Sequence, residues 1–155
     1  MASSPKDESL DSISRTLAQV VRLTSSRSLF ARQASAAGVS LTQPSYALLR
    51  VLIDGGPLAM GALARSAHMD MGMATRQVTS LVDAGLVTRS PDPADLRVAL
   101  VAVTPQGRRV AGKLRGVRIG HLQRALVDWT EDELEQFDRF LARFVADSLV
   151  TPIDD

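Results

Sequence analysis

Arg97 is the residue whose setting points most directly to chemistry. It closes the run Asp92-Pro93-Ala94-Asp95-Leu96-Arg97, which joins two short strand-forming segments, 86–89 and 98–103. Prolines and aspartates in such a linker are turn chemistry, so the pattern predicts a hairpin with a cationic tip. A guanidinium held there suits a narrow minor groove, where the negative potential of a duplex is strongest. Asp95 is placed to buttress that turn. Arg89, at the base of the hairpin, is placed to meet a phosphate or an acidic neighbour. Upstream, 71–84 reads as a short helix in which Ala74, Val78 and Leu81 share one face and Gly72, Thr75, Arg76 and Thr79 the other. Arginine offers a two-pronged fork to guanine O6 and N7, or clamps a phosphate. Met71 and Met73 flank the start of this helix, where a methionine can touch a thymine methyl; Met73 serves equally well as a core filler. A helix fit for a major groove followed by a cationic hairpin grips a duplex at two depths. The expected DNA-facing set is therefore Met71, Gly72, Met73, Thr75, Arg76, Thr79, Arg89 and Arg97.

The charge distribution agrees with that placement. Net charge is only +1 over 155 residues, but residues 56–118 hold nine Lys+Arg against four Asp+Glu, whereas 119–155 hold three against nine. Positive charge gathers where phosphate contact is expected, and the acidic C-terminal segment should face away from DNA. The absence of cysteine excludes disulfides, Cys-based zinc sites and thiol redox sensing. His68 and His121 lie in no ligand-spaced cluster, and no nucleophile–base set or cofactor loop is visible, so neither a metal, a cofactor nor an enzyme is expected. The first residues carry no signal-peptide apolar run, and no apolar stretch approaches the ~20 residues of a membrane span, which makes a cytoplasmic protein the expectation.

The positioning elements follow from periodicity and punctuation. Ser4-Pro5 starts a helix whose apolar residues (Leu10, Ile13, Leu17, Val20, Val21, then Leu29 and Phe30) carry it towards Gly38. Inside it, Thr24, Ser25, Ser26 and Ser28 are poor helix formers that either face solvent or line something polar. Thr42 caps a second helix, 43–54, with Tyr46, Leu49 and Ile53 as its buried stripe, helped by Leu52; Gly55-Gly56-Pro57 ends it. A short helix, 59–67, has Leu63 and Ala64 inward; His68-Met69 makes the turn, and Asp70 caps the helix that Gly85 closes. Thr104-Pro105 opens a fifth helix reaching about 128. Thr130 and Glu133 form a capping box for a sixth, with Trp129 packing on Leu134 as a hydrophobic staple and Leu134, Phe137, Leu141, Phe144 and Val145 as an apolar stripe. About six helices and one hairpin result. Gly112, Gly116 and Gly120 strip one face of the fifth helix, either for close approach of another helix or for compliance.

In this order of elements the chain is similar to the multiple-antibiotic-resistance regulator (MarR) family. Leu63-Ala64, Leu81 and Gly85-Leu86-Val87-x-Arg89 match its helix-turn-helix core; Asp92-Pro93-x-Asp95-x-Arg97 and Val103-Thr104-x-x-Gly107 match its wing. Two departures concern base reading: Met71-Gly72-Met73 stands where small polar residues are commoner, and Gln77 where an apolar one is usual. The resemblance implies a mainly α fold with a small β-wing: a winged helix-turn-helix DNA-binding lobe, 42–104, and a helical dimerisation region built from 5–38 and 105–150, within one domain spanning 1–155. It also implies a homodimer on a palindromic operator in double-stranded DNA, with Arg97 in the minor groove. A small-molecule effector between dimer helices and DNA-binding lobe commonly accompanies it. The hydroxyl run suggests where: Ser25, Ser28 and Tyr46 to orient a small aromatic or amphiphilic ligand, with Leu29, Leu49 and Val110 as apolar walls. The expectation is a repressor released by that ligand; the alternative is a winged helix that binds DNA constitutively, or a protein partner, with no effector.

Overall fold

Ser4 begins the described part of the chain by capping its first helix. In the computed structural model, which describes residues 4–152, the Ser4 hydroxyl accepts the N–H of Lys6, and the Asp7 carboxylate returns to the Ser4 N–H at 3.2 Å. From there the order is α1 (Pro5–Thr24), α2 (Arg27–Ala36), α3 (Gln43–Gly55), β1 (Leu58–Ala59), α4 (Met60–Ser66), α5 (Met71–Asp83), β2 (Val87–Pro91), β3 (Ala99–Val103), α6 (Pro105–Ala125) and α7 (Glu131–Val150). From α3 onward the helices and the hairpin fall close to where they were expected, and the strands are antiparallel in the order β1-β3-β2.

Two expectations need correction. The first long helix is two. Thr24 Oγ1 turns back onto the Val20 carbonyl at 2.9 Å, and Ser26 leaves helical geometry to become the N-cap of α2, accepting the Leu29 N–H. The hydroxyl run is thus an elbow, built from residues that compete with the helical backbone and are favoured at caps. The sheet gains a third strand: Leu58 and Ala59 pair with Val101 and Leu100. Two residues after a Gly-Gly-Pro stop carry no periodicity by which a strand could be recognised. Trp129 stacks edge-on with Phe137, one turn beyond Leu134, with ring centroids 5.5 Å apart.

Contacts divide the chain into a unit running to Arg118 and a second beginning at Ile119. The first unit has two cores. Leu48, Leu49 and Leu52 of α3 meet Leu63 of α4, Val78 and Leu81 of α5, and Leu86, Val87 and Val101 of the sheet. At about 1.5–3 kcal/mol for each fully buried aliphatic side chain, this cluster is what holds α5 and the hairpin on one rigid base. Phe30 and Ala34 of α2, Tyr46 of α3, and Ala111 and Leu114 of α6 form the other. Leu48, absent from the expected stripe, is fully buried, while Ile53 is half-buried against the second cluster.

The second unit holds the end of α6 and α7. Thr130 and Glu133 form the expected capping box, with the Thr130 N–H donating to the Glu133 carboxylate at 2.7 Å. No described residue of α7 is buried, and Phe137, Phe140, Leu141, Phe144 and Val145 are all exposed. In the first unit α1 likewise buries nothing and exposes Leu10, Ile13, Val20, Val21 and Leu23. None of the described helices is long and apolar enough to cross a membrane.

Candidate nucleic-acid interface

The orientation of α5 is fixed before any ligand is considered. Asp70 caps it, its Oδ1 accepting the Met73 N–H at 2.8 Å, and Gly85 ends it with φ +70°, a left-handed value glycine adopts without strain. Ala74, Val78 and Leu81 are buried against α3, α4 and the sheet, so Thr75, Arg76 and Thr79 must point outward, and all three are exposed. Gly72 leaves room there: a Cβ would sit 3.2 Å from Asp70 Oδ1 and 3.4 Å from Arg76 Nη1. Met71 is exposed beside them, whereas Met73 is half-buried and lines a cleft. Of the two methionines, Met71 is on the outward surface and Met73 packs inward.

The turn between α4 and α5 is tight. His68 has φ +52°, an uncommon value for a residue with a Cβ, and histidine is among the few types enriched there. It lets Met69 return its N–H to the Ala64 carbonyl at 2.9 Å.

The hairpin tip is hydrogen-bonded in its backbone and leaves one cationic side chain exposed. Asp92 N–H donates to the Val98 carbonyl at 2.7 Å and Val98 N–H to the Asp95 carbonyl at 2.9 Å. The two aspartate side chains cap the turn from within: Asp92 Oδ1 accepts from Ala94 N–H, and Asp95 Oδ1 from Arg97 N–H at 3.1 Å. The Arg97 guanidinium reaches Asp95 only at 3.6 Å and its side chain is 95% exposed. A solvated pair at that distance contributes little, so the cation is available to a polyanion. Arg89 lies on β2 opposite Val101, with its side chain exposed. Among the described residues no carboxylate lies within ion-pair distance of Arg76 or Arg89.

The hairpin is welded to α6 at its base. Thr104 Oγ1 donates to the Gly85 carbonyl at 2.8 Å and accepts the Gly107 N–H at 3.0 Å, while the Thr104 N–H donates to the Leu86 carbonyl. Gly107 is buried so close to Leu86 that a Cβ would overlap its carbonyl oxygen. This is the physical content of the Val103-Thr104-x-x-Gly107 pattern.

The six residues read as a ligand site do not share one cavity. Ser25 lines a cleft of about 750 Å³ together with Arg27, Phe30, Leu41, Thr42, Gln43, His68, Met69, Met73 and Gln77. Ser28 and Leu29 line a separate depression of about 510 Å³ with Arg22, Ser26 and Arg32. The elbow is the reason: breaking the helix at Ser25–Ser26 sends successive hydroxyls to different sides. Tyr46 is buried under the Arg118 guanidinium, 4.6 Å from its ring centre, and Arg118 Nε donates to Gln33 Oε1. Leu49 is fully buried in the larger core and Val110 packs against it. The cleft residues that the hydroxyl argument missed (Arg27, Thr42, Gln43, His68, Gln77) are far apart in sequence, and only the packing of α2, α3 and the α4–α5 turn assembles them. Among the described residues no group of His, Asp or Glu is arranged to hold a metal.

Comparison with known proteins meets this geometry. The MarR family profile matches residues 41–99, which covers α3 to the start of β3. The HTH-type transcriptional regulator YxaD of Bacillus subtilis is 31% identical over 117 residues, 76% of this chain and 82% of that one. The HTH-type transcriptional repressor IacR of Pseudomonas putida is 25% identical over 66% of this chain and 62% of its own length. Among solved structures, a MarR family protein from Bacillus stearothermophilus superposes with a TM-score of 0.76 over 96% of this chain and 99% of that one; at 19% identity it speaks for the fold.

Proposed function

The chain belongs to the MarR family and is a DNA-binding transcription regulator, and from that premise we propose that it acts as a homodimeric repressor which a small molecule releases from a palindromic operator. The observation that carries the reading is the Arg97 cation, held on a turn braced by backbone and aspartate hydrogen bonds, its side chain 95% exposed and only loosely paired with Asp95 at 3.6 Å. In this reading Arg97 enters the minor groove, Met71, Gly72, Thr75, Arg76 and Thr79 face the major groove, and Arg89 meets the backbone. The exposed apolar rows on α1 and on α7 support pairing, because monomeric proteins rarely leave such contiguous surface to water. Two-fold symmetry then places two recognition helices about one helical turn apart, ~10 bp centre to centre.

For release, the cleft beside Ser25 is the site of choice over the scattered six. Its walls combine Phe30, Leu41 and Met69 with Arg27 and four amide or hydroxyl side chains, a lining suited to a small amphiphile with one acidic or polar end. It touches the turn before α5, so an occupant with different affinity for the free and DNA-bound states shifts the balance between them. The experiment is a footprint on duplexes recovered by genome-wide capture. A symmetric protected site with two chains bound is expected; one asymmetric half-site occupied by a single chain contradicts the dimeric reading. Loss of the footprint on adding a compound that raises the melting temperature of the free protein tests release.

A further inference from the structure

The face by which α5 packs on α3 is apolar except at one point. Gln77 stands between Met73 and Leu81 on that face, and its amide oxygen accepts the Ser45 hydroxyl at 2.7 Å. Thr42 Oγ1 lies 3.0 Å from the same oxygen and 3.0 Å from Ser45 Oγ, while also accepting the Ser45 N–H as the N-cap of α3. Ser45 is only 4% exposed, so solvent cannot take over its bond to Gln77. Among described side chains it is the polar residue of the buried set.

The physical difference between this node and its surroundings is direction. Ala74, Val78 and Leu81 are held by burial, which is non-directional and tolerates small rotations of the helix. Hydrogen bonds at these distances weaken steeply once the donor angle is lost. At the ~5–6 Å radius of a helix with its side chains, a rotation of about 10° displaces an outward group by ~1 Å. Arg76 is the next residue to Gln77, and Thr75 and Thr79 lie two positions away on either side. We propose that Gln77 is a positioning residue: tied to the first turn of α3 through Ser45 and Thr42, it sets the rotation of the recognition helix and thereby the discrimination between DNA sequences, without touching DNA. The inference rests on the DNA-binding reading of α5.

The test is a set of variants, Gln77→Leu, Ser45→Ala and the two combined, each with its melting temperature measured. Wild-type protein is used to select a preferred duplex from a randomised pool. Dissociation constants for that duplex and for a scrambled one are then compared at one salt concentration. Discrimination between the two is expected to fall about tenfold in Gln77→Leu, the loss of roughly one good base contact, with affinity for the scrambled duplex within twofold of wild type. The double variant is expected to fall no further than Gln77→Leu alone, since both changes break the same node. Ser45→Ala carries the test should Gln77→Leu fail to fold. A folded variant that keeps wild-type discrimination overturns the inference, as does an equal loss on both duplexes. A wild type that selects no duplex overturns the DNA reading beneath it, which is a different result.

Discussion

Replacing Gly107 by alanine should separate two opposite effects of the same substitution. In a helix, Gly→Ala ordinarily gains about 1 kcal/mol, because alanine loses less backbone entropy. At Gly107 the new methyl would run into the Leu86 carbonyl oxygen and stand 2.9 Å from Val103 Cγ2, well inside the ~3.5–4.0 Å of carbon contact. The carbonyl cannot swing aside, since it already accepts the Thr104 N–H at 3.0 Å. The start of α6 must move instead, and the Thr104 hydroxyl loses its hold on Gly107. Overpacking of this kind costs about 1–3 kcal/mol, and a lost helix cap about 1 kcal/mol more. Set against the propensity gain, the net is a destabilisation of about 2 kcal/mol, or ~4–8 °C in melting temperature for a chain of this size. Gly112 provides the control on the same helix, because nothing lies within 4 Å of its would-be methyl. There the change should stabilise by up to about 1 kcal/mol. Urea unfolding of both variants at one protein concentration reads the difference. Equal stability of the two would refute the claim that α6 is seated against Leu86 by a missing side chain.

Three further outcomes are expected. Arg97→Ala should weaken binding to selected and scrambled DNA alike, about tenfold, and lower the salt slope by roughly one unit, whereas Arg76→Ala should relax sequence preference; unchanged affinity in both would remove the assigned surface. Sedimentation at micromolar concentration should find a dimer, and a stable folded monomer would contradict the pairing of the exposed α1 and α7 rows. The Glu133 carboxyl is held below its ordinary value of 4.5, first by the backbone N–H and then by the hydroxyl of Thr130. A lowered folded value means that the contribution of this cap is present above that ordinary value and disappears as pH falls through the lowered one. Helicity followed from pH 5 downward should show this loss in the wild type and not in Glu133→Ala.

Much of the fold was legible because its signals are local. The caps at Ser4, Thr42, Asp70 and Thr130, the stop at Gly85 and the Asp-rich hairpin turn are each specified within a few residues, and each is where sequence placed it. What escaped was non-local or ambiguous. The run Thr24 to Ser28 is compatible with a polar lining and with a broken helix; only the docking of Phe30 and Ala34 under Tyr46 and Leu114 decides for the break. Strand β1 exists because β3 offers it an edge, which two residues cannot announce. The outward face of α5 and the exposed Arg97 follow from a period of 3.6 and a turn motif, but the cleft is assembled from three separated segments and left no sequential trace. Gln77 was visible as an oddity, and its meaning waited on the position of Ser45.

The unburied surface of α7 has a genetic consequence. If the exposed row of α7, which buries none of its described residues within its own chain, is the pairing surface proposed above, pairing and DNA contact rest on different residues. An allele with a ruined wing, such as one lacking Arg97, would still assemble with normal subunits. Where both alleles are expressed equally and mix at random, about half the dimers carry one dead wing and a quarter carry two, leaving a quarter intact. Such an allele should be dominant over the normal gene. An allele with charges along Phe137, Leu141 and Phe144 should be recessive, because its product would not join the pool at all.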